Sequence, residues 1–185
     1  ECRIDYFSTE KGYEFSQNVG IRVGRRSDHL EHLDFNLYAR DIYDGNNSFL
    51  YDFLGTETPG DKVLLNYMGT KEHLISSLLR ENGFPTAVST PCAVFINGGF
   101  YGKYYLSQDI DANYIASVYG LKEENITLLE DGQLESGSDY SRLEYQNIID
   151  TASTTGFSGA QNYTWLSDRI DMESLIDYYA AALYF

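Results

Sequence analysis

The residues best suited to chemistry form a basic turn in an otherwise acidic chain: Gly24, Arg25, Arg26 and Ser27. Two guanidinium groups, a hydroxyl and the N–H groups of a turn can together hold a phosphate, because all of them donate hydrogen bonds and the guanidiniums add positive charge. We therefore predict phosphate or nucleotide binding at these four residues. The alternative is a surface turn whose arginines offset the acidic residues nearby.

No other residues have the spacing of a catalytic or metal site. His29 and His32 lack the one-turn spacing of a zinc-binding helix, and residues three apart on a strand point to opposite faces. A G-x-S-x-G motif is absent and no histidine follows His73, so we do not expect a serine hydrolase. Residues 109–113 lack the glycine and the final glutamate of a calcium loop. The residues alone therefore predict no catalytic side chain, no metal ligand and no cofactor.

Hydrophobic periodicity predicts strands on both sides of the basic turn. Apolar residues alternate with polar ones over 19–23 and 33–38, which predicts two strands that pair with each other. Residues 62–66 form a further apolar segment of strand character. Residues 88–106 predict a hairpin around Asn97-Gly98, because both positions of this tight turn need a positive φ. We expect the hairpin and the first two strands to share one antiparallel sheet.

A helix is predicted over Thr70–Asn82, where Leu74, Leu78 and Leu79 fall on one face. Thr70 can cap its start, and a glycine and a proline follow its end. We expect the three leucines to pack this helix on the sheet.

The second half of the chain is helical in character. The elements predicted there are helices over 111–119, 138–149 and 163–170, a strand over 126–129, and a final helix that Asp171 caps. One apolar stripe runs along the final helix: Met172, Leu175, Ile176, Tyr179 and Leu183. Because the strands come first and the helices later, the predicted fold class is α+β.

Charge and hydropathy exclude two classes of partner. The chain has 13 basic and 28 acidic residues, a net charge of −15, which repels phosphate backbones and anionic lipid. No apolar run approaches the roughly 18–20 residues that span a bilayer. We therefore expect no nucleic-acid or membrane partner, and a mature segment without a targeting signal.

Cysteine and tyrosine usage bears on the compartment. Cys2 and Cys92 can form one disulfide in an oxidising compartment, or they can remain two unpaired thiols. Seventeen tyrosines and ten phenylalanines suit a secreted protein that stacks on sugars or on other proteins, although such rings also pack cores.

Several stretches follow one another in the order of a known family. They are GIRV and G-x-x-S within 20–27, FNLYAR at 35–40, VFING and Y-G-x-Y-x-L within 94–106, ID, YG and NITLL within 110–129, and ID with LIDYYA within 170–180. Together they cover nearly the whole chain, and it resembles the CotH kinase family.

This resemblance implies an atypical protein-kinase-like fold in a secreted or surface protein of bacteria. It implies a strand-rich N-lobe over residues 1–108, with one helix near 70–82, and a partial helical C-lobe over residues 109–185. It also implies ATP and Mg²⁺ or Mn²⁺ as cofactors, and a protein substrate whose hydroxyl groups accept phosphate.

The chain departs from the family pattern at three places. Leu33 stands where the family's second strand carries a phosphate-binding lysine, and Gln108 stands where a glutamate is common. The family's catalytic aspartate and metal-binding asparagine come after the last helix, beyond Phe185. We therefore expect an incomplete or degenerate catalytic unit that does not transfer phosphate from ATP.

The alternative function is a non-catalytic extracellular binding module. In that interpretation, exposed tyrosines such as Tyr101, Tyr104 and Tyr105 contact a carbohydrate or a protein at the cell surface.

Overall fold

The computed structural model describes residues 1–24, 32–56, 60–67, 69–155 and 159–184. The chain divides into two compact units, Glu1–Asp109 and Ile110–Phe185. The first unit is built on an antiparallel sheet and the second mainly on helices. This confirms the prediction of a mixed fold in which strands precede helices.

The first unit contains β1 (Cys2–Ser8), β2 (Gly12–Val23), β3 (Phe35–Tyr38), α1 (Asp41–Asp44), β4 (Lys62–Tyr67), α2 (Thr70–Glu81), β5 (Ser89–Ile96) and β6 (Gly99–Gln108). Its six strands form one antiparallel sheet in the order β1-β2-β3-β4-β6-β5. The hairpin and the first two predicted strands therefore share a sheet, as expected. The sheet also contains β1, which was not predicted, and places β4 between β3 and β6.

The β5–β6 hairpin turns at the predicted dipeptide. Asn97 has a φ of 51° and Gly98 a φ of 80°, so both residues occupy the left-handed region that this tight turn requires. Asparagine and glycine tolerate that region better than other residues, which is why this turn could be predicted from sequence.

One face of the sheet carries the core of the first unit. The buried residues that form it are Val19, Leu37, Ala39, Phe49, Val63 and Leu106. Gln17, only 3% exposed, holds the loop of residues 48–50 against this core. Its Nε2 donates to the carbonyl of Ser48 at 3.2 Å, and its Oε1 accepts from the N–H of Leu50 at 3.1 Å. Both polar atoms of the buried Gln17 amide are thus hydrogen-bonded to the backbone of this loop, which is not part of a strand.

Both cysteines carry free thiols and pack against the same core. Burial raises the pKa of the Cys2 thiol, and it raises the pKa of the Cys92 thiol to about 11. Both are therefore protonated at neutral pH, the state in which a thiol is a poor nucleophile.

The packing predicted for α2 is wrong in two of its three residues. Leu74 is 57% exposed and Leu78 36% exposed, and α2 buries none of its residues. The side that meets the sheet carries His73, whose ring lies against Tyr105. The helix also begins without the predicted side-chain cap, because Gly69 occupies the N-cap position.

The second unit contains α3 (Ala112–Tyr119), β7 (Leu128–Glu130), β8 (Gln133–Ser136), α4 (Asp139–Thr155), α5 (Ala160–Ser167) and α6 (Met172–Tyr184). The Asp111 side chain accepts from the N–H of Tyr114 at 2.8 Å, and Gly120 ends α3 with a φ of 63°. The strand predicted near 126–129 begins at Leu128 and pairs with β8, which was not predicted.

The final helix begins as predicted. The N–H of Ser174 donates to the Asp171 side chain at 3.0 Å. Its apolar stripe is not buried, since Ile176 is 62% and Leu183 87% exposed. Among the residues that the structure describes, no helix combines the length and the apolar character that crossing a membrane requires.

Candidate functional site

The predicted phosphate-binding turn begins at Gly24, which lies at the end of β2. The N–H of Gly24 donates to the carbonyl of Asp34 at 2.8 Å, so the two ends of the β2–β3 connection meet there. A Cβ on residue 24 would lie 3.0 Å from the Cβ of Asp34, which explains why a glycine suits this close approach. Arg25, Arg26 and Ser27 lie outside the described residues, and their role in binding stays a prediction.

Tyrosines of β6 hold the backbone of Leu33, which leads back into β3. The N–H of Leu33 donates to the Tyr101 hydroxyl at 3.2 Å, and its carbonyl accepts from the Tyr104 hydroxyl at 2.9 Å. Burial raises the pKa of Tyr104 far above its usual value, so its hydroxyl remains a donor. Leu33, the residue found where the resemblance implies a lysine, is thus fixed through its backbone.

Asp34 ties the same segment to β4. Its Oδ1 accepts from the N–H of Tyr67 at 2.6 Å. Together with the Gly24 bond, this contact defines what we call the neck of the β2–β3 loop: Gly24 and residues 32–34. The neck is held from two neighbouring strands, because Tyr67 belongs to β4 and the two hydroxyls belong to β6.

The imidazole of His32, a residue of the neck, packs against two tyrosine rings. The His32 ring stacks on Tyr67, with 4.3 Å between ring centroids and 20° between planes, and it meets Tyr101 edge-on at 5.3 Å. A Cβ on Gly102 would lie 3.4 Å from the His32 Nδ1 and 3.1 Å from the Tyr104 ring. Gly102 therefore leaves the space that the rings occupy, which gives a physical reason for the glycine in this part of the hairpin.

Tyr104 is 1% exposed, and Tyr101 and Tyr105 are only half-buried. The binding-module interpretation expected all three rings to be exposed, and it is wrong for Tyr104, which packs against Tyr67 of the neighbouring strand β4. Tyr101 and Tyr105 keep part of their surface accessible, and their role in binding stays a prediction.

A shielded ion pair lies farther along the sheet, where β4 begins and β6 has ended. The Lys62 ammonium lies 2.9 Å from the Asp109 carboxylate, with 25% and 19% of the two side chains exposed. Tyr38 lies directly across from Lys62, and the Arg40 guanidinium lies 5.2 Å from the centroid of its ring. This cluster of charged side chains was not predicted, because only strand pairing brings these residues together.

A second polar contact joins α2 to β5. The Nδ1 of His73 lies 2.7 Å from the hydroxyl of Ser89, and the His73 ring lies 4.7 Å from that of Tyr105. The sequence offered no sign of this pair, since its members lie on different elements and neither stands in a known motif.

The described residues contain no group of three or more histidine, cysteine or acidic side chains that could hold a metal ion. We therefore assign no step to the Mg²⁺ or Mn²⁺ that the resemblance implies.

A family model described as CotH kinase protein matches residues 35–185. The match begins at the first residue of β3, so it excludes the predicted phosphate-binding turn. No curated protein matches the chain. No solved structure matches it either.

Proposed function

The chain belongs to the CotH kinase family, and on this premise we propose that it binds ATP and places the phosphates at Gly24, Arg25, Arg26 and Ser27. The proposal includes a protein-kinase-like arrangement, with residues 1–108 as the strand-rich lobe and residues 109–185 as part of the helical lobe. The order of the elements supports it, because a sheet with one helix precedes a helical unit.

The observation that carries the proposal is the fixed neck. A loop that binds an anion loses conformational freedom, and this loss is smaller when the ends of the loop are already held. Here the bonds of Gly24, Leu33 and Asp34 hold both ends. The two arginines supply local positive charge in a chain whose net charge is −15. A bound phosphate needs this local charge, because the rest of the chain repels anions.

The chemistry supported in this way is binding and charge neutralisation. Phosphoryl transfer depends on holding the phosphates in place and on neutralising their charge. Guanidinium groups can do both, because each offers several donors in a fixed plane. No described residue is assigned as the base that would take a proton from an acceptor hydroxyl, and the proposal therefore concerns nucleotide binding.

The proposal is tested by isothermal titration of the purified chain with ATP. We expect saturable binding that Arg26→Ala weakens by about tenfold or more, since a charge-assisted contact is worth about 1.5–3 kcal/mol. Arg142→Ala is the matched control, because Arg142 is paired with Asp139 on an exposed helix surface. No saturable binding by the unmodified chain, or equal losses in both variants, would reject the site.

We propose an extracellular or surface location, and a binding module is the second candidate function. Exposed rings on α6 favour it: Tyr178 is 66% exposed, Tyr179 58% and Tyr184 85%. Exposed aromatic rings stack on sugars and on protein surfaces. Glycan-array binding that Tyr178→Ala and Tyr179→Ala remove would support this candidate.

Antibody labelling of intact source cells tests the extracellular or surface location, and labelling only after permeabilisation would contradict it.

A further inference from the structure

Ser89 and His73 form a hydrogen-bonded pair on the sheet face under α2. Their Oγ and Nδ1 atoms lie 2.7 Å apart, and both residues are half-buried. Ser89 is the first residue of β5 and His73 lies in the first turn of α2. A serine hydroxyl within hydrogen-bond reach of an imidazole is the arrangement that activates a serine as a nucleophile.

Both the backbone and the ring of His73 are held in place. The N–H of His73 donates to the carbonyl of Gly69 at 2.9 Å, which fixes its backbone, and its ring packs at 4.7 Å on Tyr105. Gly69 is buried, and a Cβ there would lie 3.4 Å from the Cβ of Asn66. The start of α2 therefore lies close on β4 and β6, and this brings His73 to Ser89.

A neighbouring serine shows what distinguishes Ser89. Ser107 lies directly across from Ser89 in the sheet, is 8% exposed and accepts from the Asn66 side chain at 3.3 Å. An amide group cannot take a proton from a hydroxyl, whereas a neutral imidazole can. Of these two serines, only Ser89 is paired with a base.

We propose that Ser89 is a nucleophilic serine and that His73 is its general base. In the tautomer that carries its proton on Nε2, the Nδ1 of His73 accepts the Ser89 proton as Oγ forms a bond to an electrophilic phosphorus or carbonyl carbon. The bond from that atom to its leaving group breaks, and the electron pair departs with the leaving group. The site takes activated phosphoryl or acyl groups and is independent of nucleotide binding at Gly24–Ser27.

A fluorophosphonate probe on the purified full chain tests this proposal, with the adduct located by peptide mass spectrometry. We expect one adduct, on Ser89, and none in Ser89→Ala. His73→Asn keeps a hydrogen-bond acceptor near the Nδ1 position but no base. We expect the labelling rate of this variant to fall by about 100-fold or more. Ser138→Ala is the control, since Ser138 is exposed and its hydroxyl pairs with that of Ser141.

A stability measurement keeps the test decisive. Thermal unfolding of His73→Asn should match that of the unmodified chain, and His73→Gln replaces it if it does not. Absence of an adduct on Ser89, or equal labelling rates with and without His73, would overturn the proposal.

Discussion

The Lys62 ammonium lies 2.9 Å from the Asp109 carboxylate, and this ion pair joins the start of β4 to the end of the first unit. Both side chains are largely shielded, with 25% and 19% exposed. Removal of one partner leaves a shielded charge without its counter-ion, which costs more than loss of a surface pair. We expect Asp109→Asn to lower the free energy of unfolding by about 1–3 kcal/mol, measured by urea denaturation.

The matched control for this pair is Asp5→Asn. Asp5 pairs with Arg3 at 3.1 Å, but 42% and 64% of these side chains are exposed, so the loss should stay below about 1 kcal/mol. The double variant Lys62→Met with Asp109→Asn should lose less than the two single changes together. Equal losses for Asp109→Asn and Asp5→Asn would contradict this account.

Leu78 should tolerate truncation, although its position in the sequence suggested a core residue. Leu78 is 36% exposed, so Leu78→Ala removes less buried area than the same change in the core, and alanine favours helix slightly more. We expect a loss below about 1 kcal/mol in urea denaturation. Leu37→Ala, in the core at 5% exposure, should cost about 2–5 kcal/mol in the same assay. A large loss for Leu78→Ala would show that α2 packs through its leucines.

Residues 70–82 show what periodicity can and cannot predict. The spacing of the leucines indicated a helix, and the helix runs over Thr70–Glu81. It could not indicate the side that meets the sheet, because that contact is made by His73, a polar residue whose partner lies on β5. Features set by neighbouring residues were predicted well: the Asn97-Gly98 turn and the Asp111 cap depend on local φ angles and local N–H groups.

The neck could be predicted only in part. Gly24 and the residues after it indicated a turn, because glycine and adjacent donors are neighbours in sequence. The contacts that hold the turn come from Tyr67, Tyr101 and Tyr104, which strand pairing brings to Leu33 and Asp34. Such pairings depend on the order of strands in the sheet, and a single sequence does not determine that order.

The Tyr51–Glu14 hydrogen bond should make stability depend on pH at both extremes. The Tyr51 hydroxyl donates to the Glu14 Oε2 at 2.7 Å. This bond raises the pKa of Tyr51 to about 12, and hydrogen bonds from Ser8 and Tyr51 lower the pKa of Glu14. The folded state therefore holds the tyrosine proton more tightly than the unfolded state does, and holds the glutamate proton less tightly.

The signs follow from these two shifts. The Tyr51 contribution is complete below pH 10 and is lost as pH rises from 10 towards about 12. The Glu14 contribution is present above its ordinary pKa of 4.5 and is lost as pH falls below it. Urea denaturation between pH 8 and pH 11 should show a smaller decline in Tyr51→Phe than in the unmodified chain. Identical curves would mean that the bond does not persist in solution.

Asp34 should support ligand binding without touching the ligand. Its Oδ1 accepts from the N–H of Tyr67 at 2.6 Å, and its carbonyl accepts from Gly24 at 2.8 Å. Asp34→Ala removes the first bond and frees one side of the neck. Ligand binding must then offset the entropy cost of ordering the neck. We expect ATP affinity about tenfold lower in Asp34→Ala, measured by isothermal titration.

Asp34→Asn separates the position of this residue from its charge. The amide oxygen can still accept from Tyr67, so we expect Asp34→Asn to retain most of the affinity that Asp34→Ala loses. Loss of a direct repulsion between the carboxylate and phosphate would instead raise affinity in both variants, because both remove the negative charge. Equal gains in the two variants would therefore show that Asp34 opposes the ligand electrostatically and does not support the neck.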